Sequence, residues 1–224
     1  GIQGDGVKIM SKVIVVKLGG ATLGSHDTTI ADIVYLQKQG KSLVIVHGGG
    51  KVITDWLGKQ GTSTRFVNGE RVTDEATLEV VISVLAGLVN KEIVAAINSL
   101  GGKAIGISGV DGALIQGRIK EKELGYIGEV VKVNPAPLEA LLKSGYIPVV
   151  APVSLYAVDK PKKTPRLLNI NADAVAGEVA AAIGAEKLIF LTDVVGICDQ
   201  SGNLLPNLSP DEAEALMASG VASG

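Results

Sequence analysis

Aromatic side chains are nearly missing from this sequence, at 3% of residues. A core must therefore be built from Val, Ile, Leu and Ala, which the 46% hydrophobic content supplies. Cysteine occurs once, at Cys198. That excludes an internal disulfide and a cysteine-based metal cluster. It fits a reducing compartment, so a cytoplasmic location is expected. The two histidines, His26 and His47, are too few for a His-rich metal site, and no metal-ligand set is expected. No apolar run reaches the ~18 residues that span a bilayer, and the start does not read as a signal peptide. Positive charge is not in surplus: the net charge is −2 and the pI about 5.8. Neither a membrane nor a nucleic-acid partner is expected, and any cation that matters must be placed locally.

What is present is a βα alternation. A chain of 224 residues suits one large α/β domain or two lobes sharing a sheet. Val13 to Val16 and Leu43 to Val46 are short β-branched runs, each followed by glycines. Between them, Ile30, Ile33, Val34 and Leu36 recur at helical spacing up to a stop at Gly40. That β-α-β unit implies a mostly parallel sheet with right-handed crossovers. A long helix is expected from Thr73-Asp74-Glu75 to Gly101-Gly102. Strands are expected at 104–108, 147–150 and 188–191, with antiparallel hairpin material over 113–133 and helices over 135–143, 172–183 and 210–219. Asn171 reads as a helix cap and Gly184 as a helix end.

Two glycine clusters sit at strand ends: Lys17-Leu18-Gly19-Gly20 and His47-Gly48-Gly49-Gly50. Ligands of open α/β sheets collect there, and glycine lets backbone N–H groups approach phosphate oxygens. The competing reading is a pair of ordinary tight turns. Other phosphate signatures fail on spacing. Lys51 follows Gly50, but Ile45 and Val52 stand where a P-loop needs Gly and Ser/Thr. His47 reads as a strand-end hydrogen-bonding residue rather than a base. Arg71 precedes the long helix, and a guanidinium can grip a carboxylate with two parallel bonds. Asn169-Ile170-Asn171-Ala172-Asp173 gathers two amides and a carboxylate at a strand-to-helix junction.

These motifs, with Leu88-Val89-Asn90-Lys91, occur in the order and approximate spacing found in the acetylglutamate kinases, of the amino-acid kinase superfamily. The chain resembles that family from about Val13 to Gly224. The resemblance implies a three-layer αβα sandwich around a mostly parallel open sheet. It implies a lead over 1–12, an acetylglutamate-binding and dimerisation lobe over 13–168, and the start of a nucleotide lobe over 169–224. It also implies roles. Lys17 stabilises the transferring phosphoryl group, and Asp173 orients Lys17 and a second lysine. Gly19, Gly20 and Gly49 offer backbone donors to phosphate. Gly49, Gly50, Arg71 and Asn169 hold acetylglutamate. Asp193, Val194, Val195, Gly196, Ile197 and Cys198 line the nucleotide site, as do Val221, Ala222 and Ser223. The family's second lysine, in Gly-Met-Ile-x-Lys, would follow Gly224, so the C-terminal part is expected to be truncated here. Arginine-inhibited members carry a long N-terminal helix. With only Gly1 to Lys12 ahead of the first strand, a homodimer insensitive to arginine is expected.

The implied reaction moves the γ-phosphoryl of ATP onto the γ-carboxylate of N-acetyl-L-glutamate, a step of arginine biosynthesis. An ionised carboxylate needs no general base. The obstacle is repulsion: two unit charges ~4 Å apart repel by ~4 kcal/mol at an effective dielectric of ~20. Lysines, glycine N–H groups and Mg²⁺ arriving with ATP are expected to offset it. The alternatives are a related small-acid kinase of the acetylaminoadipate type and a non-catalytic amino-acid or nucleotide sensor on the same fold.

Overall fold

The structure is a computed structural model. It describes residues 12–19 and 28–191, and the short strands Ile197–Cys198 and Leu204–Leu205. The Gly1 to Ile9 lead and the expected helix over 210–219 lie outside the described residues.

The strands of the central sheet are β1 (Val13–Leu18), β2 (Ser42–His47), β5 (Ala104–Ser108), β8 (Ile147–Ala151) and β11 (Lys187–Leu191), in the order β11-β1-β2-β8-β5. Every pairing among them is parallel. Their carboxyl ends therefore share one edge. Strand parity sorts the side chains into two layers. Ile14, Val16 and Leu18 of β1, with Leu43 and Ile45 of β2, pack under α1 (Thr29–Lys38), α2 (Gly50–Lys59) and the long helix. Val13 and Val15, with Val44 and Val46, pack on the other face under α5 (Ala136–Lys143) and α6 (Ala172–Ile183). This is the expected αβα sandwich.

The long helix is continuous from Glu75 to Ser99. It runs as α3 (Glu75–Ile82), a π-helical stretch (Ser83–Val89) and α4 (Asn90–Ser99). Asp74 caps it, accepting from the Thr77 N–H at 2.7 Å. By length and composition alone this helix could cross a bilayer, with a mean hydropathy of 2.0 in its most apolar stretch. Here Leu78, Val81, Val84, Leu85, Val89, Ile93 and Ile97 bury one face in the protein core.

A second sheet goes beyond the expected hairpin. The hairpin strands β6 (Ile115–Ile119) and β7 (Ile127–Val133) do pair antiparallel. They are joined by β9 (Val153–Tyr156) and β10 (Leu167–Ile170) into a closed four-stranded barrel. Only Pro152 separates β8 from β9, so the central sheet runs almost directly into the barrel. A small hairpin, β3 (Phe66–Val67) and β4 (Glu70–Arg71), turns through Asn68 and Gly69. Both turn residues have positive φ, 49° and 79°, as a two-residue hairpin turn requires. The strands β12 (Ile197–Cys198) and β13 (Leu204–Leu205) pair antiparallel.

Candidate active site

Parity also aims the polar residues at the strand ends. Lys17 shares a face with Val13 and Val15, which puts it toward α6. Its Nζ lies 3.1 Å from Asp173 Oδ1, with the lysine side chain 16% exposed and the carboxylate 60%. Asn171 caps α6, accepting from the N–H groups of Asp173 at 2.9 Å and Ala174 at 3.2 Å. The cap fixes the first turn and hence the position of Asp173.

His47 falls on the opposite face from Lys17, is fully buried and touches the long helix. The next residues turn into α2, which starts at Gly50 without a side-chain cap. Its first-turn N–H groups are therefore left for a ligand or water. The glycines here differ in what they permit. A Cβ on Gly49 would come within 2.7 Å of Leu85 Cδ2 and 3.3 Å of Val89 Cγ2, so Gly49 lets the loop lie against the π-helical stretch. A Cβ on Gly50 would meet nothing within 4 Å.

Gly49, Gly50, Arg71 and Asn169 line one cleft of ≈ 180 Å³, with Asn171 and Ala172 of the α6 start beside them. The walls include Ile53, Phe66, Leu85 and Pro152. Asn169 of β10 lines the cleft, and its carboxamide has no hydrogen-bond partner among the described residues. Arg71 is 5% exposed. Nη2 donates to Gly50 O at 2.8 Å and Thr54 Oγ1 at 2.9 Å, and Nη1 donates to Thr64 Oγ1 at 2.9 Å. Its guanidinium stacks 4.6 Å from the Phe66 ring centroid. Among the described residues it meets no carboxylate, and burial pushes its pKa down. A buried cation without a counter-charge is costly, and an anionic ligand in the cleft would relieve that cost.

The geometry modifies two expectations. The Gly19 N–H donates to Leu191 O at 3.0 Å, so this donor is engaged in the sheet rather than offered to phosphate. Both guanidinium edges able to grip a carboxylate with two parallel bonds include an Nη2 hydrogen. Nη2 of Arg71 already donates to Gly50 O and Thr54 Oγ1, so a two-bond grip on a carboxylate competes with those contacts. Thr54 and Thr64, absent from the sequence reading, are the tethers that hold the guanidinium. A usable signal was Thr54 lying one helical turn after Gly50, where its hydroxyl donates to Gly50 O at 3.0 Å.

Gly20, Asp193, Val194, Val195, Gly196, Val221, Ala222 and Ser223 lie outside the described residues. Ile197 and Cys198 are described only as the backbone of β12.

The amino acid kinase family matches residues 12–224 of the chain. The acetylglutamate kinase of Dehalococcoides mccartyi strain CBDB1 is 52% identical over 212 residues, which is 95% of this chain and 78% of that protein. The acetylglutamate kinase of Nostoc sp. PCC 7120 is 50% identical over 220 residues, 95% of this chain and 72% of that one. Among solved structures, one from Streptococcus mutans UA159 superposes with a TM-score of 0.76 at 28% identity, covering 95% of this chain and 85% of that chain. The N-acetylglutamate synthase of Neisseria gonorrhoeae, complexed with coenzyme A and N-acetyl-glutamate, gives 0.70 at 27% identity over 93% of this chain and 48% of that one. The chain belongs to the amino acid kinase family, and within it to the acetylglutamate kinases.

Proposed function

We propose that this protein transfers the γ-phosphoryl group of ATP to the γ-carboxylate of N-acetyl-L-glutamate, forming the 5-phosphate used in arginine biosynthesis. One observation carries the reading: Arg71 is a buried cation without a carboxylate partner among the described residues, in a cleft it shares with Gly49, Gly50 and Asn169. Arg71 receives the α-carboxylate, Asn169 and the glycine N–H groups hold polar atoms of the acid, and Ile53, Phe66, Leu85 and Pro152 offer apolar contact to the acetyl group. The γ-carboxylate oxygen attacks the γ-phosphorus, the bond to the β,γ-bridging oxygen breaks, and ADP leaves. No proton moves in that step. Lys17, aligned by Asp173, meets the charge on the transferring group.

Among the described residues no three His, Cys, Asp or Glu side chains converge on a metal position. Mg²⁺ fits this site as an ion brought by ATP, held by phosphate oxygens and water. The remaining nucleotide contacts are assigned to Gly20, 193–198 and 221–223 by resemblance. The proposal also takes 13–168 as the acid-binding lobe and 169–224 as part of the nucleotide lobe, and places the enzyme in the cytoplasm, without membrane or nucleic-acid partners.

The test is ATP-dependent acyl phosphate formation, trapped with hydroxylamine, across N-acetylglutamate, N-acetylaminoadipate, N-acetylaspartate and glutamate. N-acetylglutamate is expected to give the highest kcat/KM. Preference for the aminoadipate compound would move the enzyme to a neighbouring kinase class. Tight ATP binding with no acyl phosphate from any acid would make it a sensor.

A homodimer is part of the same proposal. The long helix is only 39% buried over its most apolar stretch, and Ser83, Gly87 and Leu88 are exposed on its outer side. Small residues and a leucine let a second copy of the helix approach closely. Light scattering should find twice 22.9 kDa, and Leu88→Glu should shift the protein to monomer. A wild-type monomer at micromolar concentration would count against the dimer.

A further inference from the structure

The Leu88-Val89-Asn90-Lys91 motif has no role in the chemistry above, yet Asn90 is 1% exposed and lies behind the glycine loop. Its Nδ2 is 3.1 Å from His47 Nε2, 3.0 Å from Val149 O and 3.3 Å from Ile107 O. Its Oδ1 accepts from Lys91 Nζ at 2.9 Å. Two carbonyl acceptors on one side and an ammonium on the other orient the carboxamide with its nitrogen toward the histidine. His47 Nε2 must then carry a lone pair, and the proton resides on Nδ1. Nδ1 lies 2.9 Å from Gly48 O and donates to it.

We propose that Asn90 and His47 are a positioning pair for the substrate-binding loop: Asn90 locks the neutral Nδ1–H tautomer of His47, which pins the Gly48 carbonyl and so aims the Gly49 N–H into the cleft. In a trans peptide the C=O of one residue and the N–H of the next point opposite ways. Holding the Gly48 carbonyl on the His47 side therefore turns the Gly49 N–H away from it, toward the space that Gly48, Gly49 and Gly50 line. Preorganised donors of this kind need no rearrangement when negative charge arrives.

The neighbourhood is shaped around the pair. A Cβ on Gly106, in the middle of β5, would sit 2.0 Å from Asn90 Oδ1 and 2.7 Å from Lys91 Nζ. Glycine weakens a strand interior, and here it opens the space that admits the amide. A protonated His47 would set an Nε2–H against the Asn90 NH₂, donor against donor. Burial, with Lys91 adding to it and the Gly48 bond opposing, lowers the ring pKa to about 4. The ring thus stays neutral, with its tautomer fixed, across the working pH range.

This inference rests on the proposed use of the glycine loop for acetylglutamate, but its first test does not. The chain has only two histidines, so nitrogen NMR of the imidazole rings resolves His47 without any substrate. The wild type should show a protonated Nδ1 and a bare Nε2 from pH 8 to about pH 5. An Nε2–H ring, or titration near the ordinary 6.5, overturns the pair whatever the enzyme's substrate. The second test is kinetic. His47→Leu should raise KM for N-acetylglutamate by roughly tenfold or more. His47→Asn places an amide nitrogen where Nδ1 was and should recover most of that loss. Asn90→Leu should weaken acetylglutamate in the His47 background and have little further effect on KM in the His47→Asn background. Equal KM values for His47→Leu and wild type, both shown folded by thermal melts, would reduce the pair to core packing.

Discussion

Lys17→Ala is expected to lower kcat by roughly 10²–10³-fold, the scale seen when one preorganised charge stabiliser is removed. The reasoning starts from strand parity. Lys17 ends a buried strand, faces α6, and meets Asp173 at 3.1 Å. That contact holds the ammonium at the start of α6, whose Ala172 and cap Asn171 line the cleft, and charge builds as the phosphoryl group moves. The side chain is not part of either apolar cluster, and Asp173 is largely exposed, so the fold should survive with a melting temperature within a few degrees of wild type. Because the contact belongs to the transition state, kcat and kcat/KM should fall together, with little change in the KM for either substrate. A folded Lys17→Ala protein with near-normal turnover would remove Lys17 from the chemistry.

Arg71→Lys should act differently, raising KM for N-acetylglutamate by roughly 10–100-fold and leaving that for ATP nearly unchanged. A charge-assisted hydrogen bond contributes about 1.5–3 kcal/mol, and an ammonium cannot reproduce the planar fork. Position matters as much as charge. Three bonds to Gly50, Thr54 and Thr64, plus the Phe66 ring, set where the guanidinium lies. A lysine at 71 loses those tethers and leaves the Thr64 hydroxyl without its donor. A modest loss of stability, about 1–2 kcal/mol, should accompany the kinetic effect. A change confined to the ATP constant would mean that Arg71 serves the other substrate.

Much of this arrangement is legible in the residues. β-branched runs marked β1 and β2, Asp74 and Asn171 announced their helices, and Gly184 ends α6 in the left-handed conformation. Those are local signals, set by propensity and capping within a few residues. The barrel is not local. β6 with β9, and β7 with β10, pair across several intervening elements, and no periodicity in one strand names its partner. α2 escapes the sequence reading because its glycines, Gly50 and Gly58, look like loop punctuation. Its Ile53 and Leu57 are nonetheless buried at helical spacing. The candidate site follows the same division. Lys17, Gly49, Gly50, Arg71, Asn169 and Asp173 come from motifs. The tethers Thr54 and Thr64 and the Asn90–His47 pair come from side-chain contacts between different elements, 7 to 43 residues apart.

The strand order has a consequence for how the chain is made. β1 is synthesised before every other described strand of its sheet, yet it lies between β2 and β11. Its register with β11 matches Ile14 to Lys187 and Leu18 to Leu191. At 5–20 residues per second, translation delivers β11 roughly 7–30 s after β2. Throughout that interval one side of a strand of nearly continuous Val and Ile has no neighbour. Such an edge templates pairing with other chains, so nascent molecules on one messenger should be most prone to coaggregate before Leu191 emerges, and slowing elongation upstream of that point should lower the soluble yield.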